Sequence, residues 1–250
     1  MKTALACLAL SVTLAGCGTG NLPPASQATP VLTASAGIYK GSLSTHQNLL
    51  LAMFYDGTAY LFYLPAGAQR TIDDVVVVRN GTQTDAGKFS GVQGTRYRFA
   101  SPGDATPVQV AIDFTHSPAV SGSVAAGGDA ERTTFTASPA QMLGQASTRA
   151  ATIGLYSGNA RSLQGTAAAQ LTVTASGLLA GTIAGGCEFR GTLTPRSDLN
   201  AYDVSVTFGA APCIDANATL SGSAVLDEAQ LLVALPRRDR DDVFVFAGTR

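Results

Sequence analysis

His46 and His116 are the only histidines in this 250-residue chain, so a Ser–His triad or a histidine-bound metal would have to use one of them. Each sits among turn-forming residues, in "STHQN" and "FTHSP", and neither belongs to an HExxH array that could hold zinc. No GxSxG elbow presents a serine nucleophile, and the many serines read as outward-facing strand residues. Paired carboxylates occur at Asp73-Asp74 and Asp241-Asp242. General acid–base work needs two carboxyl groups aimed at one bond, whereas neighbours on a strand point to opposite faces. Both pairs therefore read as solvated turn charges. The expectation is a non-enzymatic protein with no catalytic residue, no cofactor and no metal site.

The elements that would carry any binding residues begin with an export signal. Lys2 supplies a positive start, and residues 4–14 form an apolar segment of signal-peptide length, too short to span a bilayer. It ends in Leu14-Ala15-Gly16-Cys17, which resembles the lipobox of bacterial lipoproteins. That resemblance implies cleavage after residue 16, thioether attachment of a diacylglyceryl group to Cys17 and acylation of the new amine by a chain of the palmitate type. Several acyl chains, at about 0.8 kcal/mol per buried methylene, hold a protein firmly on a membrane. Gly18 follows the cysteine where inner-membrane lipoproteins carry Asp, so the resemblance implies an outer-membrane lipoprotein, on the periplasmic or the surface face. The alternative is a plain secretory signal cut elsewhere, with Cys17 incidental.

Residues 18–36, rich in Pro, Ser, Thr and Ala and without charge, read as a flexible tether. A chain of about nineteen such residues reaches roughly 25 Å. Loss of Lys2 with the signal leaves 15 basic against 17 acidic side chains, with no basic stripe to neutralise phosphates, so nucleic acid is excluded as a partner. Charged residues make up only 13% of the chain and Gly reaches 27, a composition suited to many short strands joined by tight turns.

An internal repeat is visible. "GIYKG" at 37–41 is echoed by "GLYSG" at 154–158, Phe89-Ser90-Gly91 by Phe189-Arg190-Gly191, "VQVAIDF" at 108–114 by "YDVSVTF" at 202–208, and "VSGSV" at 120–124 by "LSGSA" at 220–224. Four echoes in one order argue for two related halves. The second half, 153–250, holds strand candidates at 153–157, 169–174, 178–184, 188–194, 202–208, 219–226, 230–235 and 243–247, linked by turns such as Ser176-Gly177 and Gly185-Gly186. Eight short strands suit a small closed antiparallel barrel, which leaves no exposed edge. In the first half, 37–137, a hairpin turns at Asp56-Gly57 with both faces apolar, and "DDVVVVRNG" adds a strand ending at Asn80-Gly81. The linker 138–152 opens with Ser-Pro, a helix-start signal, and predicts one or two helical turns. The fold class expected is all-β: two tandem, roughly eight-stranded barrels after a signal and tether. A transmembrane barrel is disfavoured, because most candidate strands are shorter than the nine to eleven residues or so that span a bilayer and carry Ser, Thr or Gly on both faces.

Tyr156-Ser157-Gly158, Asp113-Phe114 and the two "SGS" runs at 121–123 and 221–223 resemble strand motifs of proteobacterial surface lipoproteins, the factor-H-binding-protein and transferrin-binding-protein-B type. The resemblance implies an acylated cysteine, a polar tether and compact eight-stranded barrels. It transfers no ligand, because the host-contact loops of those families have no placed counterpart here. With Cys7 lost in the signal and Cys17 acylated as the lipobox resemblance implies, Cys187 and Cys213 remain, and in an oxidising envelope they are expected to form a disulfide. Their alternative, a metal site, lacks histidines and close spacing.

The densest aromatic set is Phe54, Tyr55, Tyr60, Phe62 and Tyr63. It reads first as a core hairpin or the seam between halves; as function, Tyr55, Tyr60, Phe62 and Tyr63 would form a binding face. "RRDRDD" at 237–242 reads as a solvated hairpin tip. The leading functional expectation is a membrane-anchored binding or envelope-interaction module, partnered by the membrane and by an envelope or host protein. The alternatives are an inhibitor or chaperone of an envelope enzyme, presenting one rigid loop, and a carrier of a small apolar ligand inside a barrel. An empty lumen would favour the carrier; a packed one leaves surfaces and loops to act.

Overall fold

Alternation decides which way each strand faces. In Ala201–Phe208, Tyr202, Val204, Val206 and Phe208 are buried while Asp203 and Thr207 are exposed, the signature of a sheet with one dry and one wet side. The computed structural model describes residues 36–67, 71–84, 87–100, 103–116, 118–127, 131–141 and 146–250, and in it this pattern closes into two antiparallel barrels in tandem. The signal, Cys17 and the tether up to residue 35 lie outside the described residues; Ala36, its last residue, is buried.

The first barrel comprises β1 (Gly37–Leu43), β2 (Asn48–Met53), β3 (Ala59–Leu64), β4 (Asp74–Val78), β5 (Thr82–Thr84), β6 (Lys88–Arg98), β7 (Asp104–Asp113), β8 (Val120–Ala126) and β9 (Glu131–Gln141). The order is β4-β3-β2-β1-β9-β8-β7-β6-β5, and pairing of β4 with β6 closes a ring of eight. β4 and β5 both lie against β6 and form one strand broken at Asn80 (φ 55°) and Gly81. Gly81 N–H donates instead to the Gly57 carbonyl in the β2–β3 turn.

One helical turn, α1 (Arg149–Thr152), leads into the second barrel: β10 (Gly154–Ser162), β11 (Gly165–Val173), β12 (Leu178–Ile183), β13 (Cys187–Pro195), β14 (Ala201–Phe208), β15 (Thr219–Asp227), β16 (Gln230–Pro236) and β17 (Val243–Thr249). It is an eight-strand meander whose last strand returns to pair with β10. The expected helix start at Ser138-Pro139 is instead part of β9, which runs past residue 137 to Gln141. Pro139 pairs with Tyr39 at a register shift, a place where a strand tolerates a missing N–H.

Both closures depend on the repeated "GxYxG" pentapeptide. A Cβ on Gly41 would stand 1.9 Å from the Thr136 carbonyl oxygen, and one on Gly158 would stand 1.9 Å from that of Ala247. Each glycine lets the first strand of its barrel cross the last at backbone contact. The three later echoes do not keep step. Counting β4 and β5 as one strand, Phe89-Ser90-Gly91 falls on the fifth strand of its barrel and Phe189-Arg190-Gly191 on the fourth; the other two pairs are offset likewise. Gly122 leaves room for the Phe135 ring and Gly181 for that of Phe189, whereas Gly222, the echo of Gly122, lies against the Ala234 carbonyl oxygen.

Each barrel has its own dry interior, and a third apolar core lies between them. Leu231, Val233 and Leu235 of β16 point into the second barrel, whereas Leu232 and Ala234 point out of it. In the first barrel Leu49, Leu51, Leu61 and Tyr63 point inward while Leu50, Tyr60 and Phe62 point outward. The outward sets meet, joined by Val75, Val77, Val225, Val243 and Val245. This is why β2, β3, β4 and β16 read as continuous apolar runs: both of their faces are covered.

Candidate functional site

The two ends of the second barrel differ. At one end α1 is seated as a stopper. Tyr156 Oη donates to the Thr152 carbonyl at 3.0 Å and Tyr202 Oη to that of Thr148 at 3.1 Å. Ser147 Oγ donates to the Ala201 carbonyl at 2.7 Å, and Arg250 Nη1 to that of Ala151 at 2.8 Å. Burial pushes the Tyr202 phenol up to about 12.

At the other end the barrel opens into a pocket of about 240 Å³. Its floor is aromatic. Phe208 and Phe244 lie 5.1 Å apart at 70°, and Phe189 beneath them completes a trio with centroids 5.8 and 5.9 Å away. Edge-to-face contacts of this kind add to the stabilisation from burial itself and plug the barrel below the pocket. Ala160, Gly165 and Ala167 of the β10–β11 hairpin contribute small residues, and Ile183 and Cys187 complete the lining.

The loop 209–218 overhangs this mouth. The Cys187–Cys213 disulfide fastens it to β13 across a separation of 26 residues. Pro212 and Ile214 then border the opening, Ile214 being 54% exposed. The polar groups at the rim are tied to protein partners. Arg161 Nε donates to Thr166 Oγ1 at 2.9 Å and its Nη1 to the Ile72 carbonyl of the first barrel. Asp215 accepts from Arg237 Nε at 2.7 Å, and Ser162 Oγ accepts from the Gln164 N–H at 3.2 Å. Such a mouth can hold an apolar group.

In the first barrel the corresponding end is polar. Asp74 and Arg96 point inward and are hydrogen-bonded, Nε to Oδ2, at 2.9 Å, with the guanidinium 5.1 Å above the Tyr63 ring. Burial pushes the Asp74 carboxyl up against the opposing pull of Arg96. Arg98 grips Asp104 through two bonds of 2.8 and 3.1 Å and holds that carboxyl below its usual range. A larger depression, about 670 Å³, runs along the outer face past Ser42, Ser121, Thr134 and Asp113. It is a shallow trough in which these hydroxyls alternate with apolar surface and with Lys88 and Arg132, without the enclosing walls of the smaller pocket.

The residues singled out by sequence scatter. Tyr60 and Phe62 stack at 6.3 Å in the core between the barrels, Tyr63 is inside the first barrel, and Tyr55 sits half-buried in a turn. They do not form an exposed binding face, because the hairpin that carries them has one side in each of two cores. His46 occupies the β1–β2 turn at φ 67°, and His116 is exposed beside Thr115. The carboxylate pairs are split rather than solvated. Asp73 accepts from Gln47 while Asp74 turns inward; Asp241 is exposed while buried Asp242 accepts from the Leu163 and Val243 N–H groups at 2.9 and 2.7 Å. "RRDRDD" is likewise structural, with Arg240 reaching Gln93 of the first barrel at 3.3 Å. The pocket itself had little sequence signal beyond "TAAAQ" and an isoleucine following a cysteine.

No protein-family model matches the chain, and a comparison with curated proteins finds no match. Two solved structures overlap it loosely. One is a protein provisionally assigned to the outer membrane of Bacteroides fragilis; the other, of unknown function, is a DUF3598-family protein from Nostoc punctiforme. Each is 12% identical with a TM-score of 0.27 over 86% of this chain, covering 95% and 96% of their own lengths. At that level of overlap neither likeness bears on what this chain does.

Proposed function

We propose that the chain is a lipoprotein of the bacterial cell envelope, held to the outer membrane through Cys17, and that it acts by binding rather than by catalysis. The observation that carries the binding reading is the asymmetry of the second barrel, stoppered at one end by α1 and open at the other in an aromatic-floored pocket. With both interiors filled by side chains, a ligand is met at a mouth or on an outer surface.

A second reading, an inhibitor or chaperone of an envelope enzyme, is supported by the same loop. A disulfide-fastened segment with an exposed isoleucine presents a pre-ordered apolar contact to a protein, at little entropic cost. A photo-crosslinking residue at position 214, activated in living cells, separates the two. A small adduct supports ligand capture and a protein-sized one supports the second reading. An adduct level no higher than at the exposed position Val92 would count against both.

A further inference from the structure

We infer that the mouth of the second barrel takes a small, uncharged, single-ring aromatic molecule, an inference that rests on reading this mouth as a binding site. Size bounds the ligand first. A dry cavity of about 150 Å³ lined by Leu, Ile and Phe holds benzene, and drug-sized ligands occupy roughly 300 to 1,000 Å³. The pocket here, about 240 Å³, falls between them. It has room for a ring bearing a short alkyl substituent and is too small for a sterol or a long folded chain.

Charge bounds it next. A carboxylate or phosphate would meet the Asp215 carboxylate in the same lining, and the Arg161 guanidinium there already spends Nε on Thr166 and Nη1 on the Ile72 carbonyl. Burying an ionised group there without a partner would be costly. Shape supplies the third constraint. Phe208 and Phe244, at 70° to one another, line the pocket together with the small residues Ala160, Gly165 and Ala167, so a planar ring entering it can meet a phenylalanine in edge or offset contact where the small residues leave space.

Isoleucine methyl NMR reads the site directly. Ile183 and Ile214 line the pocket; Ile38 and Ile72 lie between the barrels, Ile112 is inside the first, and Ile153 is at the stoppered end. The sample is the mature chain carrying Cys17→Ser, which keeps detergent out of the pocket. Butylbenzene should shift the Ile183 and Ile214 methyls saturably, with a dissociation constant of roughly 1 mM to 1 μM, and leave those of Ile38, Ile72 and Ile112 in place. Benzoate should shift none of them. Ala167→Leu, which fills that space, should weaken butylbenzene by about tenfold or more with the remaining methyl spectrum unchanged; Ile183→Ala should admit a bulkier ring.

Absence of any Ile183 or Ile214 response up to the solubility limit would overturn the inference. Benzoate binding as tightly as butylbenzene, or indifference to Ala167→Leu in a variant with the native methyl spectrum, would do the same. If these fail while position 214 still cross-links a protein, the binding reading survives and the ligand assignment alone is lost.

Discussion

Arg161, on the first strand of the second barrel, donates a hydrogen bond to the main-chain carbonyl of Ile72 in the first. Its guanidinium also lies 5.5 Å from the Phe99 ring centroid, and Arg161 lines the pocket at the mouth of the second barrel. One side chain thus links the pocket rim to the neighbouring barrel. Arg161→Met keeps the aliphatic stem and removes the donors. It should cost roughly 1.5–3 kcal/mol, the range for a hydrogen bond from a charged group, measured as a lower urea midpoint at constant m-value.

The shared core makes the two barrels one folding unit. Phe62 and Leu232 are at most 1% exposed and face each other's barrel. Urea unfolding followed by circular dichroism and by tyrosine fluorescence should give coincident single transitions. Phe62→Ala should lower stability by about 3–5 kcal/mol, and two separated transitions in the unmutated chain would refute the single unit.

The disulfide closes a loop spanning 26 residues. In the chain-entropy model its loss costs about 3–4 kcal/mol. The double variant Cys187→Ser/Cys213→Ser should show that drop in the presence and absence of reductant, while the parent shows it only when reduced.

Gly158 has no room for a side chain, with the Ala247 carbonyl oxygen 1.9 Å from where its Cβ would stand. Gly158→Ala should destabilise by about 1–3 kcal/mol or more through forced separation of β10 and β17. Gly185→Ala is the contrasting case. Its Cβ would meet nothing within 4 Å, but its φ is +99°, so any loss there reports backbone strain rather than crowding.

Alkali should unfold the protein by a defined route. Burial pushes the phenols of Tyr39, Tyr97 and Tyr202 up to about 12 from 10.0. A folded-state pKa above the unfolded one means that this contribution to stability is complete below pH 10 or so and is lost as pH rises through about 12. With no tryptophan in the chain, phenolate absorbance reports these groups directly. Their ionisation should coincide with loss of the strand signal in circular dichroism; ionisation at the ordinary tyrosine pH with the fold intact would refute their burial.

The barrels were readable because alternation survives wherever one strand face meets solvent, as in Tyr202, Val204, Val206 and Phe208. Where both faces are covered, as in β2, β3 and β16, the period vanishes, and a continuous apolar run cannot say which residues meet which core. That ambiguity left the aromatic set as core hairpin or seam between halves, with a binding face as the second reading; Tyr60 and Phe62 are in the seam and Tyr63 is inside the first barrel. The echoes pointed to the two barrels, although the three later ones fall one strand out of step between the halves. Splitting of Asp73 from Asp74, and of Asp241 from Asp242, followed the strand geometry, but which member would be buried depended on Arg96 and on the Leu163 and Val243 N–H groups. The pocket was hidden because it is assembled from four turns and defined by alanines and glycines, residues whose contribution is the space they leave.

The proposed anchor is tested most directly by the mass of the amino-terminal peptide of protein purified from membranes. A peptide beginning at Cys17 and carrying diacylglyceryl and amide-linked acyl groups is predicted, and Cys17→Ser, which cannot be lipidated, should retain the uncut signal from Met1. An unmodified Cys17 thiol, or a mature amino terminus elsewhere than residue 17, would contradict it.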